Sequence, residues 1–315
     1  MFKLNQLKSV FLFLLILFVL ASAGTADTLR VVNYNALNLR GSTMGNRTDD
    51  FHTVMESIQP DIAVFQEIID QDAVDNLLSF VFLQIDDDWS SVVFNNGPDT
   101  DNAFFFRTSK VEFISQRAIP TTLRDITEYK FRPLALNEDE EVRFYSGHLK
   151  ASSGSENEER RRQEAAALRQ QLDMLPAGAY FAFMGDFNLY TSEEPAYQLL
   201  LDPEPDSDGQ LFDPIDTPGD WNNSVSYAHI HTQSTRSSSI GDGGATGGLD
   251  DRFDFILVSG GLMDEQNGSY VIPESYKPWG NDGQHFNQSI NDGTNNAVPQ
   301  EVADALHVAS DHLPV

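Results

Sequence analysis

The segment "AYFAFMGDFN", residues 179–188, ends an apolar run in a short polar stretch. The run predicts a buried β-strand. Because side chains alternate along a strand, Asp186 and Asn188 are expected to point to the same side. On its own this ending is also ordinary for a turn, since Gly, Asp and Asn are common turn residues. Its meaning therefore depends on whether other apolar runs end in the same way.

Several other apolar runs also end in polar residues. The runs are "TLRVVNYN" with Asn35, "DIAVFQEI" with Gln66 and Glu67, "VRFYSGHL" with His148, and the closing "ASDHLPV" with Asp311 and His312. We predict that these side chains assemble one polar site at one edge of packed sheets. Carboxylate oxygens such as those of Glu67, Asp186 and Asp311, together with the Asn carbonyls, suit Mg²⁺ or Ca²⁺ better than zinc.

The pattern of apolar runs predicts an α/β sandwich, with packed β-sheets inside and helices outside. Strands outnumber helices, and "NAFFFR" and "RFDFILVS" add to the runs above. Three helices are predicted: one around Phe51–Ile58, closed by Pro60, one from Ser155 to about Pro176, and one from near Thr191 to Leu201. In the second, Ser155 and Glu158 have the spacing of a capping box. At 315 residues we expect one large domain.

The first residues have the pattern of a secretory signal peptide. Lys3 and Lys8 precede a continuous apolar run from Val10 to Leu20, and the small residues 21–23 follow. We therefore assign residues 1–23 to a signal peptide and expect a secreted, extracellular or periplasmic protein without a transmembrane segment. An uncleaved N-terminal anchor is the alternative, and it also places the folded part outside the cytoplasm.

The composition limits the chemistry. The chain has 20 Lys and Arg against 48 Asp and Glu, and removal of residues 1–23 takes away two lysines and no acids, so the net charge falls from −28 to −30. Such a protein is expected to be a soluble monomer, and it is a poor overall match for a polyanion. The chain has no cysteine, which excludes disulfides, thiolate nucleophiles and Cys-ligated zinc.

The segment "LDDRFDFILVSG" carries an acid inside an apolar strand. Alternation places Asp254 on one face with Ile256 and Val258. A buried carboxylate is costly without a partner, and an imidazole is a suitable one because the hydrogen bond fixes its tautomer. We predict that His312 is this partner. A strand whose Asp faces solvent is the alternative.

With these residues in place, the chain resembles the endonuclease/exonuclease/phosphatase superfamily, which includes pancreatic deoxyribonuclease, abasic-site endonucleases, bacterial sphingomyelinases and inositol-polyphosphate 5-phosphatases. The resemblance implies two mainly antiparallel sheets flanked by helices, in the four-layer deoxyribonuclease-I-like arrangement. It covers residues 27–315, although family members continue past "SDHLPV" to complete a final strand. Six motifs occur in the family's order: Tyr34-Asn35, Gln66-Glu67, "SGHL", "GDFN", "RFDFIL" and "SDHLPV".

The resemblance also implies a role for each motif residue in phosphoester hydrolysis. Glu67 would bind a divalent metal, Mg²⁺ or Mn²⁺, helped by Asn35 and Asp311. Five residues would be catalytic: His148, Asp186, Asn188, Asp254 and His312. Asp186 would orient or activate the attacking water, and Asn188 would lie beside the metal or the phosphate. Asp254 would hold His312, which acts as the base or stabilises the phosphate, and His148 would donate a proton or hydrogen bond to the phosphate or the leaving group. Whether one or two metals act is left open.

The basic residues near His148 favour a nuclease that acts on DNA or RNA. Lys150 and the run from Arg160 to Arg162 follow that histidine, and Arg252 precedes Asp254; we take Lys150, Arg160 and Arg252 as substrate-binding candidates. The alternative for the arginines is a solvated helix face with Glu–Arg pairs. A sphingomyelinase-like enzyme, a phosphomonoesterase and an inactive binding module remain alternatives, although the last predicts gaps among the motif residues.

Two further features have open interpretations. His229 and His231 would lie on the same face if this segment is extended. They would then either bind zinc or phosphate, or be ordinary loop histidines without a function. The acidic loop "EPDSDG", residues 204–209, resembles calcium loops but has Ile215 where an EF-hand needs Glu. This segment is either a structural Ca²⁺ site or an acidic loop that binds no ion.

Overall fold

The computed structural model describes residues 27–136 and 140–315. The proposed signal peptide, residues 1–23, lies outside them. Within the described residues, no helix combines the length and the apolar character needed to cross a membrane.

Two β-sheets form the centre of the molecule. The four-stranded sheet A has the strand order β1-β2-β4-β3, and the six-stranded sheet B has the order β5-β6-β7-β8-β10-β9. The strands are β1 (Val31–Leu39), β2 (Ile62–Ile68), β3 (Trp89–Ser91), β4 (Asp101–Arg107), β5 (Val111–Ile119), β6 (Ile126–Pro133), β7 (Val142–His148), β8 (Tyr180–Asp186), β9 (Leu211–Phe212) and β10 (Asp254–Ser259).

Helices cover the outer face of each sheet. They are α1 (Thr48–Ile58), α2 (Gln71–Leu77), α3 (Leu83–Ile85), α4 (Ser155–Leu172), α5 (Pro195–Leu201), α6 (Gly260–Met263) and α7 (Gln300–Ala309). α1, α2 and α7 pack on sheet A through one apolar cluster, and α4 and α5 pack on sheet B through a second. A third cluster fills the space between the sheets, with Val64 and Phe104 from sheet A and Phe131, Phe144 and Met184 from sheet B. The predicted α/β sandwich is therefore confirmed.

The sheets are mixed, and their two parallel pairs matter for the site. β1 pairs with β2 and β7 pairs with β8 in parallel, whereas the other neighbouring strands are antiparallel. Parallel neighbours end at the same edge of a sheet. Strand ends predicted separately from the sequence thus meet at one edge.

One helix differs from the prediction in its capping and another in its first residue. α4 begins at Ser155 as predicted, but Gly154 precedes it and no side chain caps it, so the capping box is wrong. The next helix begins at Pro195 instead of near Thr191, because Glu194 stays extended and its carboxylate accepts bonds from the Tyr190 amide and from Arg161. A buried ion pair with Arg161 therefore determines the position of this glutamate.

The last residues lie beside sheet A. The backbone N–H and C=O groups of Val315 exchange two hydrogen bonds of 2.9 Å with those of Asn33 in β1. The segment that follows His312 therefore anchors this histidine against the first strand.

The close approach of β7 and β8 depends on Gly185, which has φ +150°. A Cβ atom at this position would lie 1.7 Å from the carbonyl oxygen of Gly147. Only a residue without a side chain allows the two strands to pair here without a shift of the backbone.

We expect Gly185→Ala to lower the free energy of unfolding by about 3 kcal/mol, because the new methyl group overlaps backbone atoms that cannot move aside. Gly45→Ala is the matched control, since no atom lies within 4 Å of a Cβ atom there. Urea denaturation of both variants measures the difference, and equal stability would contradict the proposed backbone clash.

Candidate active site

Strand register brings the predicted residues of sheet B together. His148 at the end of β7 is the register partner of Asp186 in β8, and Asp186 is the partner of Asp254 in β10. In sheet A, Asn35 in β1 is the partner of Gln66 in β2. Because the two sheets pack face to face, these ends form one polar site at a shared edge.

Glu67 reaches this site through an irregular backbone. It has φ +58°, a conformation that non-glycine residues rarely adopt, and the registers of β2 with both β1 and β4 shift here. Strict alternation would send Glu67 and Gln66 to opposite faces of sheet A. The break in alternation allows both residues to contribute to the space between the sheets, which is a strained arrangement typical of functional sites.

Asp186 lies at the centre of the site and is 2% exposed. Its Oδ2 accepts a hydrogen bond from Asn35 Nδ2 at 3.0 Å and lies 3.4 Å from His148 Nε2 and 3.6 Å from His312 Nε2. Its Oδ1 accepts bonds from the backbone N–H and the side-chain amide of Asn188. Burial, together with the nearby carboxylates of Asp254 and Glu67, raises the pKa of Asp186 to about 7.

Glu67, His148 and Asp186 form the one group of three or more acids and histidines in the described ranges whose ligand atoms all lie within 4.8 Å of one another. His148 Nδ1 lies 3.5 Å from Glu67 Oε1, and this buried nitrogen has no hydrogen-bond partner. Two carboxylates that approach this closely are stabilised by a cation between them. The donor set therefore fits a divalent metal, with oxygen ligands that suit Mg²⁺ or Mn²⁺.

His312 and Asp254 form the predicted pair. Nδ1 of His312 lies 2.7 Å from Asp254 Oδ2, and both residues are buried. Burial alone would lower the pKa of His312, but the carboxylates of Asp254 and Asp186 outweigh it and raise this pKa well above its usual value. These carboxylates thus favour the protonated form of His312.

His148 has the opposite character. Burial lowers its pKa well below the usual value, and the positive charge of Arg124 contributes in the same direction. The ring is therefore neutral and retains a lone pair. Arg124 was not a sequence candidate, and nothing in "TTLRDIT" singles it out; it is paired with Asp99 at 3.0 Å.

Three further predicted residues lie in the site, where their side chains make hydrogen bonds to protein groups: Asn35, Asn188 and Asp311. Asn35 Nδ2 also donates to Glu67 Oε1 at 3.0 Å, so its amide NH₂ group holds the two acids. Asn188 holds Asp186 through the two bonds above. Asp311 lies outside the Glu67 group, and its Oδ2 accepts a bond of 2.6 Å from the backbone N–H of Ala245. Metal ligation by Asn35 and Asp311 stays a prediction.

Gln233 is a second residue that the sequence did not reveal. Its side-chain amide nitrogen lies 2.6 Å from His312 Nε2 and 3.4 Å from Asp311 Oδ2. It comes from the long loop between β9 and β10, where no periodic pattern predicts which side chains face the site.

The model of the Endonuclease/Exonuclease/phosphatase family matches residues 32–312. The chain belongs to this family. No curated protein gives a significant match to the sequence.

Solved structures of the same fold align over most of the chain. Truncated TDP2 from Caenorhabditis elegans is 19% identical with a TM-score of 0.56, and the match covers 91% of this chain and 95% of that one. An endonuclease/exonuclease/phosphatase from Bacteroides vulgatus is 14% identical with a TM-score of 0.55, and the match covers 91% and 96%. At these identities the similarity supports the fold of the family alone.

Of the three substrate-binding candidates, only Lys150 lies near the candidate active site. Its positive charge acts on His148, and its Nζ donates to the Ala151 carbonyl. Arg160 is half exposed on α4 and pairs with Glu156 four residues earlier, which is the solvated helix face considered as its alternative. Its neighbour Arg161 is fully buried and pairs with Glu194.

The structure does not support a substrate contact for Arg252. It is 1% exposed, and its guanidinium makes two hydrogen bonds with the carboxylate of Asp213, at 2.8 and 3.0 Å. It also lies over the ring of Phe255 at 4.2 Å. Arg252 lies two residues before Asp254 and outside β10, so strand alternation does not set its direction, and the buried carboxylate of Asp213 holds it away from the site.

The remaining sequence features form no second site. His231 is buried and lies 2.8 Å from the Trp221 carbonyl oxygen, whereas His229 is exposed. In the loop at residues 204–209, Asp208 accepts a hydrogen bond from the Gly178 amide, thirty residues earlier in the chain. Among the described residues, neither feature belongs to a group of three metal-ligand side chains. Structural calcium stays a prediction.

We expect Arg252→Met to lower the free energy of unfolding by about 3–5 kcal/mol, because it leaves the buried Asp213 carboxylate without its partner. The double variant Arg252→Met/Asp213→Asn removes that charge and is expected to recover part of the loss. Chemical denaturation measures both. Full stability of the single variant, combined with a raised KM, would restore the substrate-binding role.

We expect Asp254→Asn to lower the pKa of His312, because burial remains while the main opposing carboxylate is lost. NMR titration of the histidine rings in metal-free protein measures this shift, with buried His231 as the internal control. A raised native pKa stabilises the fold below the unfolded value of about 6.5, and this stabilisation disappears as pH rises through the native pKa. The variant should therefore lose more stability at mildly acidic than at alkaline pH. An unchanged His312 pKa would contradict the assignment.

Proposed function

We propose that the protein is a secreted phosphodiesterase that depends on a divalent metal and hydrolyses DNA or RNA. The observation that carries this proposal is the position of the Glu67, His148 and Asp186 group beside the Asp254–His312 pair. Membership of the family supports a phosphoester hydrolase. The nucleic-acid substrate rests on the basic residues at the site, and secretion rests on the pattern of residues 1–23.

The metal would be held by Glu67 and Asp186, with His148 as the third ligand. When bound, it would supply charge neutralisation for the phosphate oxygens and a water of lowered pKa. Asn35 and Asn188 fix the two oxygens of Asp186 by hydrogen bonds and so orient this carboxylate. The chain's own residues thus build the site before substrate binds, which is the arrangement that electrostatic catalysis requires.

Asp186 and His312 have separate roles in the proposed reaction, one toward the attacking water and the other toward the phosphate. Asp186 would orient the attacking water, because Asn35 and Asn188 fix its two oxygens. Asp254 favours the protonated form of His312, which would stabilise the negative charge that develops on the phosphate oxygens. Of the two roles considered for His312, base or phosphate stabiliser, the environment favours the second.

The surface charge makes the local cations important. A net charge of −28 repels nucleic acid at long range. Arg124 and Lys150 are close enough to His148 to influence its pKa, and with His312 they give the site a positive side. This arrangement supports phosphate binding at the site and little non-specific binding elsewhere.

We expect the purified protein to nick supercoiled plasmid or cleave single-stranded RNA with Mg²⁺ or Mn²⁺, and to be inactive in EDTA. Glu67→Gln and His312→Ala should each lower kcat/KM by about 10²–10⁴-fold, since they remove metal binding and charge stabilisation. Glu56→Gln is the matched control, because Glu56 lies on the exposed face of α1 and should leave activity unchanged.

Other substrates decide between the alternatives. Cleavage of sphingomyelin or of small phosphomonoesters, with nucleic acid left intact, would keep the hydrolase and overturn the nuclease. Absence of metal-dependent hydrolysis of all of these substrates would favour a binding module that has lost activity.

A further inference from the structure

A chain of buried polar side chains connects the two sheets directly beneath the candidate site. Each member is at most 5% exposed, although apolar residues fill the rest of the space between the sheets. We call it the inter-sheet network. Its members are Asn33, Gln66 and Asn102 from sheet A and Thr127 and Ser146 from sheet B.

Three hydrogen bonds of the network cross from one sheet to the other. Gln66 Nε2 donates to Ser146 Oγ at 2.9 Å, and Ser146 Oγ donates to Asn102 Oδ1 at 2.8 Å. Asn102 Nδ2 donates to Thr127 Oγ1 at 3.2 Å. Within sheet A, Gln66 Nε2 also donates to Asn33 Oδ1 at 2.8 Å. Ser146 thus accepts from one strand of sheet A and donates to another.

The network occupies the layer between the apolar core and the site. Along β7, the inward-facing residues are Phe144, then Ser146, then His148. Along β2, Val64 is followed by Gln66, and Glu67 comes next. The hydrogen-bonded pair Gln66–Ser146 therefore lies immediately below Glu67 on one sheet and His148 on the other.

Directional bonds restrict the sheets more than apolar contacts do. Apolar packing tolerates small sliding movements, because it depends on buried area and not on direction. Hydrogen bonds of 2.8–2.9 Å weaken steeply when donor and acceptor move apart or out of line. The three metal-ligand side chains come from both sheets, so any sliding changes the distance from Glu67 to His148 and Asp186.

The network is not built for maximal stability. Gln66 Oε1 and Asn33 Nδ2 are buried, and the structure gives them no hydrogen-bond partner. Buried polar groups that are only partly satisfied cost free energy, and apolar side chains in their place are often neutral or stabilising. A requirement for exact placement of the residues above explains why polar groups occupy this layer.

We propose that Gln66 and Ser146 are positioning residues that set the spacing between Glu67 and the His148–Asp186 pair, and thereby the affinity for the divalent metal. This inference rests on the metal site of the proposed function. Neither residue touches the metal-ligand atoms; they act through the strands that carry them.

The test is Mn²⁺ binding by Ser146→Ala, measured by isothermal titration calorimetry and by electron paramagnetic resonance of free Mn²⁺, on protein shown to be folded by circular dichroism. Loss of a group that orients metal ligands typically weakens binding 10–100-fold, and we expect the Kd to rise by at least about tenfold. The matched control is Met184→Leu. Met184 is the register partner of Ser146, is equally buried and belongs to the same interface, but lies outside the network.

A second variant separates positioning from stability. Asn33→Leu/Gln66→Met/Ser146→Ala removes the central bond together with the Asn33 amide that depends on Gln66, and it leaves no polar atom unpaired beyond the Asn102 Oδ1 that Ser146→Ala already leaves. We expect its thermal stability to equal or exceed that of Ser146→Ala, while its Kd for Mn²⁺ stays raised. If the affinity instead recovers with the stability, the network is merely structural and the inference is overturned.

Wild type and Glu67→Gln distinguish the two levels of failure. If wild type binds no Mn²⁺ at the site that Glu67→Gln removes, the proposed metal site fails, and the inference fails with it. If wild type binds and Ser146→Ala binds equally tightly, the metal site stands and the inference alone is wrong.

Discussion

The burial of Asp186 is the constraint on which the site depends. A carboxylate that is 2% exposed is costly unless its oxygens are paired. Asn35 and Asn188 satisfy these oxygens, and the imidazoles of His148 and His312 lie within 3.6 Å of one of them. These partners come from four separate segments of the chain, so folding of the whole domain is needed to make this one acid tolerable. The same requirement draws the catalytic candidates together.

Much of this arrangement could be predicted because each segment carries a strong local signal. The run that ends at Asp186 and the run that contains Asp254 are apolar enough to be buried strands, and a buried acid needs a partner. The pairing of Asp254 with His312 follows from these two facts, and the 2.7 Å contact confirms it. Parallel pairing of β7 and β8 then brings His148 to the same edge. The sequence is sufficient to predict which residues meet where strand periodicity and the cost of a buried charge point to the same side chains.

Other features depend on tertiary contacts that no local pattern reports. The position of Glu67 results from a backbone conformation that breaks alternation. Asp311 is occupied by the Ala245 amide because a loop 66 residues earlier folds back onto it. Arg252 and Arg160 are basic and close in sequence to site residues, but a buried ion pair and a helix surface determine their positions. Arg124 and Gln233 approach the histidines from loops without periodicity.

The two histidines show how environment, and not residue type, assigns the chemistry. His148 and His312 are both buried, and burial lowers the pKa of each. For His312 the carboxylates of Asp254 and Asp186 outweigh burial, whereas His148 also faces the positive charges of Arg124 and His312 itself. A positive charge on His312 therefore favours the neutral form of His148. A neutral imidazole can ligate a metal and a charged one can stabilise a phosphate, so in the proposed function this mutual influence would divide the two tasks between chemically identical side chains.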